Sequence, residues 1–170
     1  IVAAISNRGG RAAGISGIDG AIIQSRLKEA ALGYVGAVVK VDTALLETLL
    51  NGGFIPVVAP LALYSHDRPD DAPQIVNMNG DTIAGEIAAA LGAARLVFLT
   101  DVAGIRGQSG EVISRLSAPE AEALINSGVA SGGMIPKIGA CLRALSRTGV
   151  TRIIDGRPPH ALLRELEGQD

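Results

Sequence analysis

The stretch Asn77-Met78-Asn79-Gly80-Asp81, continued as TIAGEIAAALGAARLVFLTD to Asp101, decides how the rest of the chain reads. Two amides and a carboxylate open a helix expected over 81–91. Its inward face carries Ile83, Ala84, Ile87, Ala88 and Leu91 at helical spacing, and Gly92 is its stop. Residues 96–100 (LVFLT) are a short apolar run of the kind that forms a buried strand, and Asp101 stands at its carboxyl end.

Working toward the start, residues 54–59 (FIPVVA) read as another strand, followed by a polar loop over 65–72. Before it, Thr43 opens a helix with Leu45, Leu46, Leu49 and Leu50 on one face, ended by Gly52-Gly53. Strands are expected over 21–26 and 34–41, a turn at 17–20, a buried strand over 12–16, and a helix over 1–7 closed by Gly9-Gly10. Toward the end, a loop over 102–110 carries Gly104, Gly107 and Gly110. A helix over 119–127, a loop over 128–133 and a helix over 134–148 follow, with Pro136 in the first turn of the last. A strand over 152–154 and a helix over 160–166 complete the pattern. This alternation predicts an α/β fold with a mainly parallel sheet and right-handed crossovers.

Composition narrows the function. The 170 residues are 48% hydrophobic but only 2% aromatic, as suits small helices lying close on a sheet. With 15 basic and 17 acidic residues and no basic stripe, nucleic-acid binding has no support. No apolar run is long enough to span a membrane, and residues 1–10 lack a signal-peptide pattern. The single cysteine, Cys141, excludes an internal disulfide framework, so a cytoplasmic protein is expected. The chain opens at Ile1 inside a helical pattern and ends at Asp170 without a stop, which reads as a piece of a longer protein.

Several residues could carry chemistry. Ligands bind beyond the carboxyl ends of strands in open parallel sheets, so Asp101 either orients a nucleotide or metal or merely caps a turn. Asn77, Asn79 and Asp81 surround a helix start, where backbone N–H groups attract anions; plain capping needs one such residue, and here there are three. Lys137 lies in a first helical turn, where the dipole disfavours a cation. A bound phosphate would offset that cost, and a solvated surface lysine would bear it at a few tenths of a kcal/mol. Ser16 and Asp19 have no nearby histidine for a triad. His66, His160 and Cys141 share no zinc spacing, and Cys141 reads as core. Neither a G-x-G-x-x-G helix start nor a P-loop is present, which removes a Rossmann dehydrogenase.

Four stretches together resemble the amino-acid kinase family: GISGIDGAII (14–23), LLNGGFIPVVAP (49–60), NMNGDTIAGEIAAALGAARLVFLTDVAGI (77–105) and GGMIPKIGACLRAL (132–145). Within it they are most similar to the branch that phosphorylates N-acetyl-L-glutamate with ATP. The resemblance implies a three-layer α/β/α sandwich with a mainly parallel open sheet. It implies two lobes, 1–76 being the remainder of the amino-acid-substrate lobe and 77–170 the ATP lobe. Asn77 and Asn79 would bind substrate, Asp81 would organise the catalytic lysines, and Lys137 would stabilise the transferred phosphoryl group. Thr100, Asp101, Val102, Ala103, Gly104, Ile105 and Arg106 would line the nucleotide site, with Val129, Ala130 and Ser131 beside it. Mg²⁺ would arrive with the nucleotide, with no metal ligand from the protein, and a homo-oligomer is expected. The family's first lysine, its glycine-rich substrate loop and a substrate arginine lie upstream of the residues present, and its last strand lies beyond them. This chain alone is therefore expected to be inactive. Two alternatives stay open: a kinase acting on carrier-linked aminoadipate, and a non-catalytic nucleotide-sensing module.

Overall fold

Short β-branched and aliphatic runs separated by glycine-stopped helices fold here as α/β units. The structure is a computed structural model describing residues 1–27, 36–65 and 68–168. The chain begins with α1 (Val2–Ser6) and β1 (Ala12–Ser16), then a 3₁₀ turn (Asp19–Ala21) and β2 (Ile23–Leu27). Next come β3 (Gly36–Val41), α2 (Ala44–Asn51), β4 (Ile55–Ala59), β5 (Leu61–Tyr64) and β6 (Ile75–Asn77). The remainder is α3 (Gly80–Leu91), β7 (Arg95–Thr100), α4 (Ala118–Asn126), α5 (Met134–Leu145), β8 (Val150–Asp155) and α6 (Ala161–Glu167).

The expected α/β class and mainly parallel pairing hold. β1 pairs with β4, β2 with β5 and β7 with β8, all parallel. The sheet differs from a single open one in two respects. Its hydrogen bonds fall into three pieces, β1-β4, β3-β2-β5-β6 and β7-β8. The middle piece contains the antiparallel pairs β2/β3 and β5/β6. The sequence reading passed over β5, because Leu61–Tyr64 is shorter than a typical strand and directly follows Pro60. Residues 34 and 35 of the expected strand 34–41 lie outside the described residues.

Three apolar clusters hold these pieces together. Ile22 just before β2, Ile23 of β2, Ala62 of β5, Val76 of β6 and Leu46 of α2 form the first, joined by Met78 and Ile83. Leu96 and Phe98 of β7 meet Ala88 of α3 and Ala140 and Ala144 of α5 in the second. Ala121 of α4, Ala130 of the loop before α5 and Ile138 of α5 form the third, under Ile105 and Leu116. Two inward assignments need correction. Leu50 of α2 is half exposed, because only Leu46 and its neighbours reach the sheet. Helix α3 buries more than one stripe, since Gly85 and Ala89 are buried besides Ile83 and Ala88.

Gly85 explains the second stripe. A Cβ there would lie 2.7 Å from the Ala140 carbonyl oxygen and 2.8 Å from the Ala140 Cα and Cβ. The two helices therefore approach backbone to side chain, closer than any larger residue allows. Alanine is ordinarily the better helix former by about 1 kcal/mol, but overpacking a fixed contact costs about 1–3 kcal/mol. Gly85→Ala is therefore expected to lower the urea midpoint. Gly139→Ala, on an exposed stretch of α5 where an added Cβ meets nothing within 4 Å, is expected to raise it. Opposite signs for two glycine-to-alanine changes in packed helices would establish the contact; equal signs would remove it.

Candidate active site

The α3–α5 crossing sets the site. Asp81 lies one turn before Gly85 and Lys137 nearly one turn before Ala140, so the tight contact brings the first turns of both helices side by side. Lys137 Nζ donates to Asp81 Oδ2 at 2.9 Å, and both side chains are 22% exposed. The dipole cost noted for Lys137 is thus already offset by a protein carboxylate. Asp81 itself is in the favourable place for an anion. Two helix N-termini, each equivalent to roughly half a positive charge, plus one lysine and one aspartate leave a net positive locus. An anion is what such a locus accepts.

The connection from β6 into α3 has no slack. Asn79 is the N-cap, its Oδ1 accepting from the Thr82 N–H at 2.9 Å and lying 3.2 Å from the Thr82 hydroxyl. Its carbonyl oxygen is therefore committed to the helix, and only its amide NH₂ is left for a ligand. Asn77 ends β6, with its backbone paired to Leu61, and its side chain is exposed. On the α5 side, Gly128 and Gly132 take positive φ values of 74° and 55° to turn the chain into the helix. The N–H groups of Ser131, Gly132 and Gly133 donate to no acceptor among the described residues. Val129 is half-buried and Ser131 exposed. Ala130 differs: its side chain is buried in the third cluster and its N–H donates to the Leu124 carbonyl at 3.0 Å, so it supports the loop from below.

The carboxyl edge of β7 and β8 forms the other half. Register places Thr100 opposite Asp155. The Thr100 hydroxyl is 2.8 Å from the Val102 carbonyl and 3.2 Å from that of Ile154, and it accepts from the Val102 N–H at 3.2 Å. Asp101, Val102 and Ala103 are exposed at this edge. The next three residues turn away from it. Gly104 is buried against Val112, and Ile105 joins the third cluster. Arg106 donates to the Gly110 carbonyl at 2.8 Å, closing the small hairpin in which it pairs with Val112. A cavity of about 370 Å³ lies beneath this hairpin, lined by Ile105, Ile138, Cys141, Leu142 and Thr151 among others.

The reading of the sequence missed Asp155 and Arg157, having ended the strand at 154. Arg157 is held by Asp155 through its backbone N–H at 3.0 Å, Nε at 2.9 Å and Nη2 at 2.7 Å. The signal available was a second strand ending in aspartate, followed by Gly156 and an arginine. The remaining candidates recede. The Ser16 hydroxyl and N–H both donate to Asp19 Oδ2, at 2.8 and 2.7 Å, which is a turn and not a nucleophile with its base. Burial pushes the Cys141 thiol upward against a hydrogen bond with Thr151, which makes it a poor thiolate. His160 is exposed before α6, and His66 lies outside the described residues.

The hydrogen bonds from Arg157 hold the Asp155 carboxyl at about 2. A carboxyl lowered from 3.8 keeps its ion pair above its unfolded value and loses it as pH falls through the folded one. The pair is therefore intact across the neutral range. An NMR titration of the Asp155 side chain is expected to show a midpoint of about 2, and Arg157→Ala is expected to return it toward the ordinary 3.8.

Known proteins are similar to this chain in sequence and in fold. The family model described as the amino acid kinase family matches residues 1–155. The chain is 48% identical over 166 residues to an acetylglutamate kinase of Dehalococcoides mccartyi, covering 98% of this chain and 61% of that protein. It is 47% identical over 171 residues to an acetylglutamate kinase of Thermosynechococcus vestitus, covering 98% and 56%. It thus spans about three-fifths of the length of these relatives. Among solved structures it is similar to N-acetylglutamate synthase from Neisseria gonorrhoeae, complexed with coenzyme A and N-acetyl-glutamate. That likeness has a TM-score of 0.76 at 28% identity and covers 96% of this chain and 37% of that one. The fold is shared with isopentenyl phosphate kinase from T. acidophilum, at a TM-score of 0.60 and 19% identity over 96% of this chain and 59% of that one. With a family match over residues 1–155, this chain belongs to the amino acid kinase family.

Proposed function

We propose that the protein carrying this chain transfers the γ-phosphoryl group of Mg·ATP to the side-chain carboxylate of N-acetyl-L-glutamate, giving an acyl phosphate and ADP in arginine synthesis. The observation that carries this reading is the 2.9 Å Asp81–Lys137 pair at the facing N-termini of α3 and α5. The acetylglutamate kinase relatives supply the choice of substrate.

The reaction asks for positioning and charge neutralisation rather than covalent help. The acceptor carboxylate is already ionised at neutral pH, so one of its oxygens attacks the γ-phosphorus without a general base, and the bond to the ADP oxygen breaks. Lys137 neutralises charge that builds on the transferred group. Asp81 keeps the ammonium aimed at that point and fixes its rotamer. Asn77, exposed at the end of β6, offers an amide to the amino-acid substrate, assisted by the amide NH₂ of Asn79. The N–H groups at 131–133, without an acceptor among the described residues, meet the anionic side of the nucleotide beside Lys137, while Asp101 takes its sugar side. Among the described residues no group of three or more His, Cys, Asp or Glu side chains could hold a metal ion, and Mg²⁺ comes as part of the nucleotide substrate. The cores suit a division into lobes near 76/77. The first cluster draws chiefly on residues before 77, and the other two on residues after 83. No helix among the described residues is long and apolar enough to cross a membrane, which suits an enzyme of the cytoplasm. A homo-oligomer is part of the same reading.

The test is acyl-phosphate formation, trapped as the hydroxamate, by the protein at the full length its gene encodes. Lys137→Ala is expected to lower kcat by about 10²–10³-fold with little change in the KM for either substrate, as removal of a transition-state charge contact does. Hydroxamate formation by Lys137→Ala at the wild-type rate would overturn the assignment of Lys137. Absence of acetylglutamate-dependent ADP release from the wild type would overturn the substrate.

A further inference from the structure

The carboxyl edge holds an arginine that the reading above leaves idle. Thr100 and Asp155 are directly paired, so Asp101 and Arg157 lie just past the same edge. Gly156 donates to the Thr100 carbonyl at 2.8 Å, which ties the two strand ends together. Arg157 is exposed, with 66% of its side chain open to solvent, against 24% for Asp155. An exposed arginine ordinarily loses rotamer freedom when it meets a ligand. Here Nε and Nη2 lie 2.9 and 2.7 Å from the two Asp155 oxygens in a fork-to-fork pair, so much of that freedom is already gone. Asp155 takes two of the five guanidinium N–H donors, and the outer ones, with the flat faces of the group, remain open.

We propose that Arg157, clamped by Asp155, contacts the ribonucleoside end of the nucleotide, an inference that rests on the kinase reading of this site. Charge decides which end of the nucleotide is meant. Asp101 and Asp155 with one arginine leave this edge net negative, which disfavours a triphosphate. The positive locus at Lys137 is the place for the phosphates. A carboxylate beside an arginine of fixed geometry is complementary to a sugar with two hydroxyl donors and a base with ring-nitrogen acceptors and an aromatic face. The Asp101 carboxylate also acts electrostatically on Arg157, as two groups set just past the ends of paired strands do.

The test compares Arg157→Ala and Arg157→Lys in the full-length protein by calorimetry with ATP, ADP, adenosine and inorganic tripolyphosphate. Arg157→Ala is expected to weaken ATP, ADP and adenosine by a common factor of about 10, leaving tripolyphosphate binding and the KM for N-acetyl-L-glutamate unchanged. Arg157→Lys keeps the charge but loses the fork, and is expected to recover little of that loss. Unchanged ATP affinity in Arg157→Ala would sink the proposal. An equal loss for tripolyphosphate would reassign Arg157 to the phosphates. A fall in melting temperature accompanied by weaker acetylglutamate use would make it structural. Failure of the wild type to bind ATP would instead remove the kinase reading itself, so the two failures are distinguishable.

Discussion

The close approach of Gly85 to Ala140 is the constraint on which the site depends. A side chain at residue 85 would collide with the backbone of α5, so the two helices meet at the distance that glycine alone permits. From that point one helical turn leads back to Asp81 on one side and nearly one to Lys137 on the other. The ion pair is a product of the crossing. Two charges 56 residues apart in sequence become neighbours because a single Cβ is missing between them.

Charge is divided between two places. At the helix starts, dipoles and Lys137 outweigh Asp81, and the N–H groups before α5 have no protein acceptor among the described residues. At the strand ends, Asp101 and Asp155 outweigh Arg157. A molecule with an anionic end and a hydrogen-bonding neutral end is oriented by such a layout before any close contact is made. In the proposed kinase reading, the polarity of the nucleotide is thereby set by secondary structure as much as by individual side chains.

Most of this layout was legible in the residues. The helix after Asn79 and its glycine stop, the strand over 96–100 and the odd cation at Lys137 all follow from local pattern, because capping and apolar spacing act within a turn or two. What was not legible is tertiary. That Asn79 supplies the cap was not legible, since nothing local tells which of three polar residues a helix will use. Arg106 reads as part of a nucleotide loop, yet its guanidinium reaches the Gly110 carbonyl across a hairpin that the glycines only hinted at. The second buried stripe of α3 is invisible in a sequence of alanines and one glycine, because small residues look alike whether they face solvent or another helix. The α4 start illustrates a signal that was present and unused. Ser117-Ala118-Pro119-Glu120 is a capping pattern, and Glu120 Oε2 accepts from both the Ser117 N–H and hydroxyl.

Helix α3 is common property. Ile83 and Ile87 belong to the cluster under β2, β5 and β6, whereas Ala84 and Ala88 belong to the one under β7 and α5. Only Met78 and the Asn79 cap separate its start from the end of β6, which leaves little loop to absorb movement. The helix therefore works as a beam built into two walls. Any rocking of one wall against the other must strip contacts from one side of the beam, and Asp81 travels with the side that keeps its grip. In the proposed kinase reading, closing the amino-acid half onto the nucleotide half and aligning the reactive charges would be a single mechanical event.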